Sequence, residues 1–358
     1  MLVDYVAGSE LDAQWGSMSW LEKELLVRRI VLGLVQLFGK RFSRMGSLYK
    51  TADLQRLGPT YAAEAIVLDC GHDCFSLDNE FCLGSVIQMP FFWGNNLKLD
   101  VDRGPFSSSQ DWLRTVLRLH SLAVDDPVAV MSDSDNDSDS DNSDDKPDPE
   151  NTPAAIKHRV QRLMDLLPAT FPADGPEAFV LHHHDLHAKN IFMGDDHELS
   201  GIIDWECIST VPLWAACEFP KFLQTELNRH VCPDPDKYMK EVLDDGTEEL
   251  NVMYYEHLVE YEKTRLRVFF LEQMQRECPE WVEVYQNSKL KATFEEVVAA
   301  LNDKSNASII DEWLDTMEEH GAAPGIGDML HEYEQELLDY ELASSKGRKT
   351  KDAEVTKE

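Results

Sequence analysis

The stretch HHHDLHAKN, residues 182–190, decides the reading of this chain. Asp185 stands two residues after His183, and Asn190 follows Asp185 by five. Phe179, Val180 and Leu181 read as a short strand that delivers the chain into this segment. Beyond it, residues 191–193 and residues 199–203 flank Gly194, Asp195 and Asp196, the pattern of a hairpin. The second arm runs into GIIDWE, which puts Asp204 fourteen residues after Asn190.

The residue types fit one kind of chemistry. Phosphoryl transfer needs in-line positioning and a divalent ion to offset phosphate charge. It also needs a carboxylate that orients the attacking hydroxyl and accepts its proton. Magnesium takes hard oxygen ligands, commonly one or two from protein. In this layout Asp185 faces an acceptor hydroxyl, and Asn190 turns its amide oxygen to a metal. The hairpin brings Asp204 back beside Asn190. The competing reading has Asp185 and Asn190 capping a turn and Asp204 as an ordinary strand-end acid. Four histidines crowd the loop: His182, His183, His184 and His187. A zinc site needs a second ligand cluster at fitting spacing, and none follows. The expectation is structural: His183 holds the loop by hydrogen bonds and His187 packs near the metal acids.

The whole sequence sets limits around this loop. A chain of 358 residues with 43% hydrophobic residues can bury a sizeable core. Its net charge of −34 argues against nucleic acid and anionic membrane as partners, and is compatible with a cationic small molecule. No apolar run approaches the ~18 residues of a membrane span. The first residues form neither a basic nor an apolar signal region. Seven cysteines without a framework spacing suit reduced thiols, so a cytoplasmic location is expected. Cys70, His72, Cys74 and Cys82 match no zinc module and read as buried thiols near a strand.

Along the chain, residues 1–8 read as a strand running into a glycine turn. Ser19 to Glu22 spell a capping box that opens a helix reaching about Phe38. Residues 81–93 look like a strand and loop, and residues 107–123 like a helix with Trp112, Val116 and Leu119 on one face. Residues 132–145 contain only Ser, Asp and Asn, so nothing offsets the entropy of ordering them. They read as a disordered insert, either a solvated loop or an acidic phosphorylation tract. Thr152 and Pro153 start another helix, with Ile156, Val160, Leu163 and Leu167 on its apolar face. From about residue 210 the pattern reads as helical, with Tyr255, Val259, Leu266 and Phe270 on one face of the longest helix.

HHHDLHAKNIFM together with GIIDWE resembles the catalytic and metal-binding loops of the aminoglycoside phosphotransferase family, relatives of protein kinases and choline kinases. YVAGSELDAQW, FSRMGSLY, MPFFWG, RGPFSSSQDWL and IDWECISTVPLW resemble its large fungal branch, and the likeness covers most of residues 1–290. It implies an α+β, predominantly helical fold: a protein-kinase-like C-terminal lobe with a small catalytic and metal-loop hairpin. It implies Asp185 as catalytic base, Asn190 and Asp204 as magnesium ligands, and ATP as donor to a hydroxyl of a small molecule. Residues 1–8 would be a hinge strand in which Asp4, Tyr5 and Val6 offer backbone groups to an adenine. Residues 9–343 would be the lobe, with a disordered insert over 132–150, and residues 344–358 a disordered tail. In the family a β-rich lobe with a phosphate-covering loop and a strand lysine precedes the hinge, whereas here the first lysine is Lys23, on a helix. The expectation is therefore an incomplete, weakly active phosphotransferase. The alternative is a non-catalytic lobe of the pseudokinase kind that binds a ligand or partner.

Overall fold

The computed structural model describes residues 5–57, 80–92, 94–125, 149–225, 227–242 and 247–329. Asp4, Cys70, His72, Cys74, residues 132–145 and the tail over 344–358 lie outside the described residues. The chain is mixed α and β, mostly helical, with antiparallel sheets. It divides into two compact units. The first holds residues 1–88, 104–108 and 176–288; the second holds residues 89–103, 109–175 and 289–358.

Among the described residues, the first unit carries all the strands. Ser9–Glu10 (β1), Ile191–Met193 (β6) and Leu199–Ile202 (β7) form a three-stranded sheet in the order β1-β6-β7. The expected hairpin is thus β6 and β7, paired Ile191 to Ile202 and Phe192 to Gly201. Arg41–Phe42 (β2), Ser47–Lys50 (β3), Phe81–Gly84 (β4), Phe179–His182 (β5) and Ser209–Pro212 (β8) form a five-stranded sheet in the order β2-β5-β8-β3-β4. Lys240–Val242 (β9) and Glu248–Leu250 (β10) make a separate pair.

Helix Trp20–Phe38 begins as its sequence predicts. The Ser19 amide donates to Glu22 Oε2 at 2.6 Å, and the Glu22 amide donates to Ser19 Oγ at 3.4 Å. Its inner face, with Val27 and Ile30, packs in one core with Val180, Leu186, Ile191 and Met193. Helix Val252–Glu277 completes that core with Phe270. Leu186, inside the HHHDLHAKN loop, and Ile191, directly after it, pin the loop to the core at two points five residues apart.

Two expectations need correcting here. The hinge strand over residues 1–8 is not a strand where it is described: residues 5–8 pair with nothing in a ladder, and pairing starts at Ser9. The cause is Gly8, at φ +110°, where an added Cβ would lie 2.1 Å from the Met193 carbonyl oxygen. The chain must turn there to reach β6, which suits glycine alone. The helical reading from residue 210 holds before Val252 only for the short helix Leu213–Ala216 and for the 3-10 turns Lys221–Leu223 and Pro235–Lys237. Thr210 and Val211 are β-branched, buried and paired with β5, and Pro212, Pro220, Pro233 and Pro235 interrupt any longer helix. Helix Val252–Glu277 starts only where Asn251 caps it. Leu266 and Phe270 are buried on it as expected, but Tyr255 is exposed, because the first turns run beyond the core.

The second unit is a cluster of helices Ser109–Ala123, Pro153–Thr170, Lys289–Ala300 and Ala307–His320. Trp112, Val116 and Leu119 are buried, as are Val160, Leu163 and Leu167. The Thr152 side chain accepts from the Ala155 amide, with Pro153 in the first turn. Pro149–Asn151 forms a 3-10 turn, so the expected disordered segment does not include its last two residues. Arg159 is buried and grips Asp311 with Nε and Nη2 at 2.9 and 2.6 Å, while Nη1 donates to the Glu150 carbonyl at 2.7 Å.

Candidate active site

The loop and the hairpin of the first unit meet through backbone hydrogen bonds. The Ile203 amide donates to the Asn190 carbonyl at 3.0 Å, so Asp204 follows directly from a residue bonded to Asn190. The His183 ring clamps the junction. The Asp185 amide donates to His183 Nδ1 at 3.3 Å, which leaves the proton on Nε2 to donate to the Ile203 carbonyl at 2.9 Å. His183 is buried and presents a ring edge to Trp205, with centroids 4.8 Å apart. The indole of Trp205 donates to the Ile202 carbonyl at 2.8 Å.

These anchors surround a strained residue. Asp204 has φ +63°, in the left-handed region that non-glycine residues seldom occupy. Aspartate tolerates it better than most, and the fixed neighbours Ile203 and Trp205 hold it there. Its side chain is exposed, unlike that of Asn190, which is buried.

Asn190 is oriented by what it touches. Its Nδ2 lies 2.9 Å from the Asp185 carbonyl and 3.4 Å from Asp185 Oδ2. Both partners can only accept, so the amide's donor side faces Asp185 and Oδ1 is left as the atom for a cation. An amide oxygen and a carboxylate from adjacent backbone positions are the hard donors that magnesium selects, so the pair fits that ion. Among the described residues no group of three or more His, Cys, Asp or Glu side chains is placed to hold a metal.

Asp185 is half-buried and ringed by donors. Lys221 Nζ lies 2.8 Å from Oδ1 and His187 Nε2 lies 3.4 Å from Oδ2. The Lys221 ammonium bonded to Asp185 holds its carboxyl below the usual carboxylate range, with His187 assisting. His187 also caps the 3-10 turn Ala188–Asn190 by accepting from the Lys189 amide at 3.2 Å. His182 meets Glu218 at 3.1 Å, and the His184 side chain is exposed.

Lys221 carries no functional signal in the sequence, and Trp205 none beyond its place in GIIDWE. Trp205 is simply the residue after Asp204, and Lys221 lies 36 positions from Asp185. Lys221 opens a 3-10 turn, Lys221–Leu223, whose Phe222 amide donates to the Leu186 carbonyl at 3.0 Å. Of the hinge residues, Tyr5 is exposed and Val6 packs close to Gly201 on β7. An apolar cavity of about 250 Å³ lies between helix Trp20–Phe38 and the junction, lined by Ile30, Leu34, Leu186, Ile202 and Trp205. A second, open cavity of about 490 Å³ begins just past Lys221, with Gln224, Thr225, Glu260 and Lys263 on its walls.

Two subtelomeric hrmA-associated cluster proteins of Aspergillus fumigatus, from different strains, are 23% and 22% identical over 247 residues. Each match takes in 62% of this chain and 45% of the relative, so the chain spans under half the length of those curated relatives. No solved structure matches significantly. The model of the phosphotransferase enzyme family, APH, matches residues 102–215, the stretch that holds the loop, the hairpin and Asp204.

Proposed function

We propose that the chain carries the catalytic residues of an ATP- and magnesium-dependent phosphotransferase acting on a hydroxyl of a small molecule. The observation that carries this reading is the convergence of Asp185, Asn190 and Asp204 on one backbone-bonded junction. When bound, magnesium offsets phosphate charge and ATP supplies the phosphoryl group. Asn190 Oδ1 and the Asp204 carboxylate are the atoms that would hold the metal. Asp185 accepts the hydrogen bond of the acceptor hydroxyl and takes its proton as transfer proceeds. A carboxylate of lowered basicity suits a transition state in which bonding to the nucleophile lags, because its main task is orientation. His183 keeps the two halves of the site in register.

The net charge of −34 favours cationic acceptors on approach. The first test is magnesium-dependent ATP binding by calorimetry on residues 1–358, wild type against Asp204→Ala and Asn190→Ala. The second is phosphoryl transfer to ethanolamine and glucosamine. Binding that needs magnesium in the wild type and weakens in both variants is expected. Equal binding in all three, with or without the ion, would remove the proposed metal site and the reading built on it.

A further inference from the structure

Among the described residues, Lys221 is the one in short contact with a side-chain oxygen of Asp185. The other neighbours of that carboxylate, His187 Nε2 and Asn190 Nδ2, stand at 3.4 Å, too long to fix its rotation. Nor is the lysine there by the accident of a floppy surface chain. Pro220 precedes it, and the Phe222 and Leu223 side chains that follow are buried in the core. The Phe222 amide is bonded to the Leu186 carbonyl, one residue past Asp185. The backbone under Lys221 is thus tied to the backbone under Asp185. The pair is open on its outer side, with Lys221 44% and Asp185 32% exposed. An ion pair that open contributes little to stability. Its conformation is nonetheless imposed by buried neighbours, which is the arrangement expected of a functional contact rather than of a fold-stabilising one.

Resting on the phosphotransferase reading above, we infer that Lys221 is a positioning residue: by binding Oδ1 it sets the carboxylate plane so that Oδ2 meets the acceptor hydroxyl. Asp185 then takes the hydroxyl proton on Oδ2 while the acceptor oxygen bonds to phosphorus and the leaving oxygen departs with its electron pair. An open cavity walled by Gln224, Thr225 and Glu260 begins three residues past Lys221 along the chain. A carboxylate free to rotate loses alignment, and misplacement of about an ångström can cost up to ~10²-fold in rate.

The test compares wild type, Lys221→Met, Lys221→Arg, Asp185→Asn and the double variant Lys221→Met/Asp185→Asn. Magnesium–ATP is the donor, with ethanolamine, glucosamine and water as acceptors, and thermal melting reports folding. Lys221→Met should lower kcat about tenfold or more, with little change in KM for ATP or in melting temperature. Lys221→Arg should recover most of the loss. In the double variant the lysine change should add nothing to Asp185→Asn, because it acts through that residue. A kcat for Lys221→Met equal to or above wild type overturns the inference and leaves the phosphotransferase reading standing. A full additive loss in the double variant also overturns it, since the lysine would then act on the phosphoryl group directly. A folded wild type that transfers to none of the acceptors overturns both readings together.

Discussion

Each of the two units holds a cation gripping an aspartate, and the two pairs are built in opposite ways. In the helical unit Arg159 is 4% exposed, chelates Asp311 through Nε and Nη2 and donates from Nη1 to the Glu150 carbonyl. In the sheet-bearing unit Lys221 meets Asp185 through one short contact, and both ends face outward. The first pair is closed at its cation: each of the three guanidinium nitrogens has a partner inside the protein, while Asp311 itself is 39% exposed. The second is open, and the aspartate keeps a side toward solvent. A closed pair holds structure, because removing one member strands the other. An open pair on a rigid base is suited to meeting a ligand.

Exchanging or deleting members of each pair sharpens the contrast. The largest effect belongs to Asp185→Asn, which keeps the shape and loses the proton acceptor. Turnover should fall by ~10²–10⁴-fold while the melting temperature stays within about two degrees, as steady-state kinetics and calorimetry would show. Undiminished turnover would make Asp185 a turn cap and nothing more.

Arg159→Ala should do the reverse. The variant loses a bidentate grip and leaves the Glu150 carbonyl without its donor, at a cost of about 2–3 kcal/mol, moderated because Asp311 is partly solvated. Denaturant titration should show that loss. Turnover per folded molecule should be unchanged. A stable Arg159→Ala variant with impaired transfer would collapse the distinction between the two pairs.

The sequence made the open region legible and much of its surroundings illegible, for a physical reason. His183, Asp185, Asn190 and Asp204 lie within 22 consecutive positions, so a strand–loop–hairpin reading places them together by local geometry alone. The capping box at Ser19 and the N-cap at Thr152 were equally local, and the helices begin where they predict. Lys221 could not be found this way, because its nearness to Asp185 depends on Phe222 bonding Leu186 across the fold. The five-stranded sheet was hidden for the same reason. Its strands are two to four residues long and pair out of sequence order, β8 inserting between β5 and β3. Runs that short carry no readable alternation, whereas four prolines between residues 212 and 235 were a local signal against the helix expected there.

The closed unit has its own pH signature. Burial pushes His120, on helix Ser109–Ala123, down from 6.5 to about 4. Its folded-state affinity for protons is lower than in the unfolded chain, so the unfolded chain binds more protons between those values. Stability is therefore full above pH 6.5 and declines as pH falls toward 4. With the ring only partly covered, the loss should be on the order of 1–2 kcal/mol. His120→Gln should flatten the slope of unfolding free energy over that window, and an unchanged slope would assign the acid sensitivity to other groups.

The smallest expected effect is the most discriminating for the open region. Asp204 sits at φ +63°, where a side chain costs energy that glycine does not incur. Asp204→Gly removes the strain but adds freedom to the unfolded chain, so the two changes should nearly cancel, within about 0.5 kcal/mol. Asp204→Ala keeps the strain and loses aspartate's tolerance of it, and should be about 1 kcal/mol less stable than the glycine variant. Both should weaken magnesium-dependent nucleotide binding alike, since both lose the carboxylate. That pattern separates the backbone from the side chain: stability would follow φ, and binding would follow the oxygen atoms. If instead Asp204→Gly were as unstable as Asp204→Ala and nucleotide binding were intact in both, the carboxylate would be a structural acid at a strand end. The loop would then resemble the Arg159 pair more than an open site.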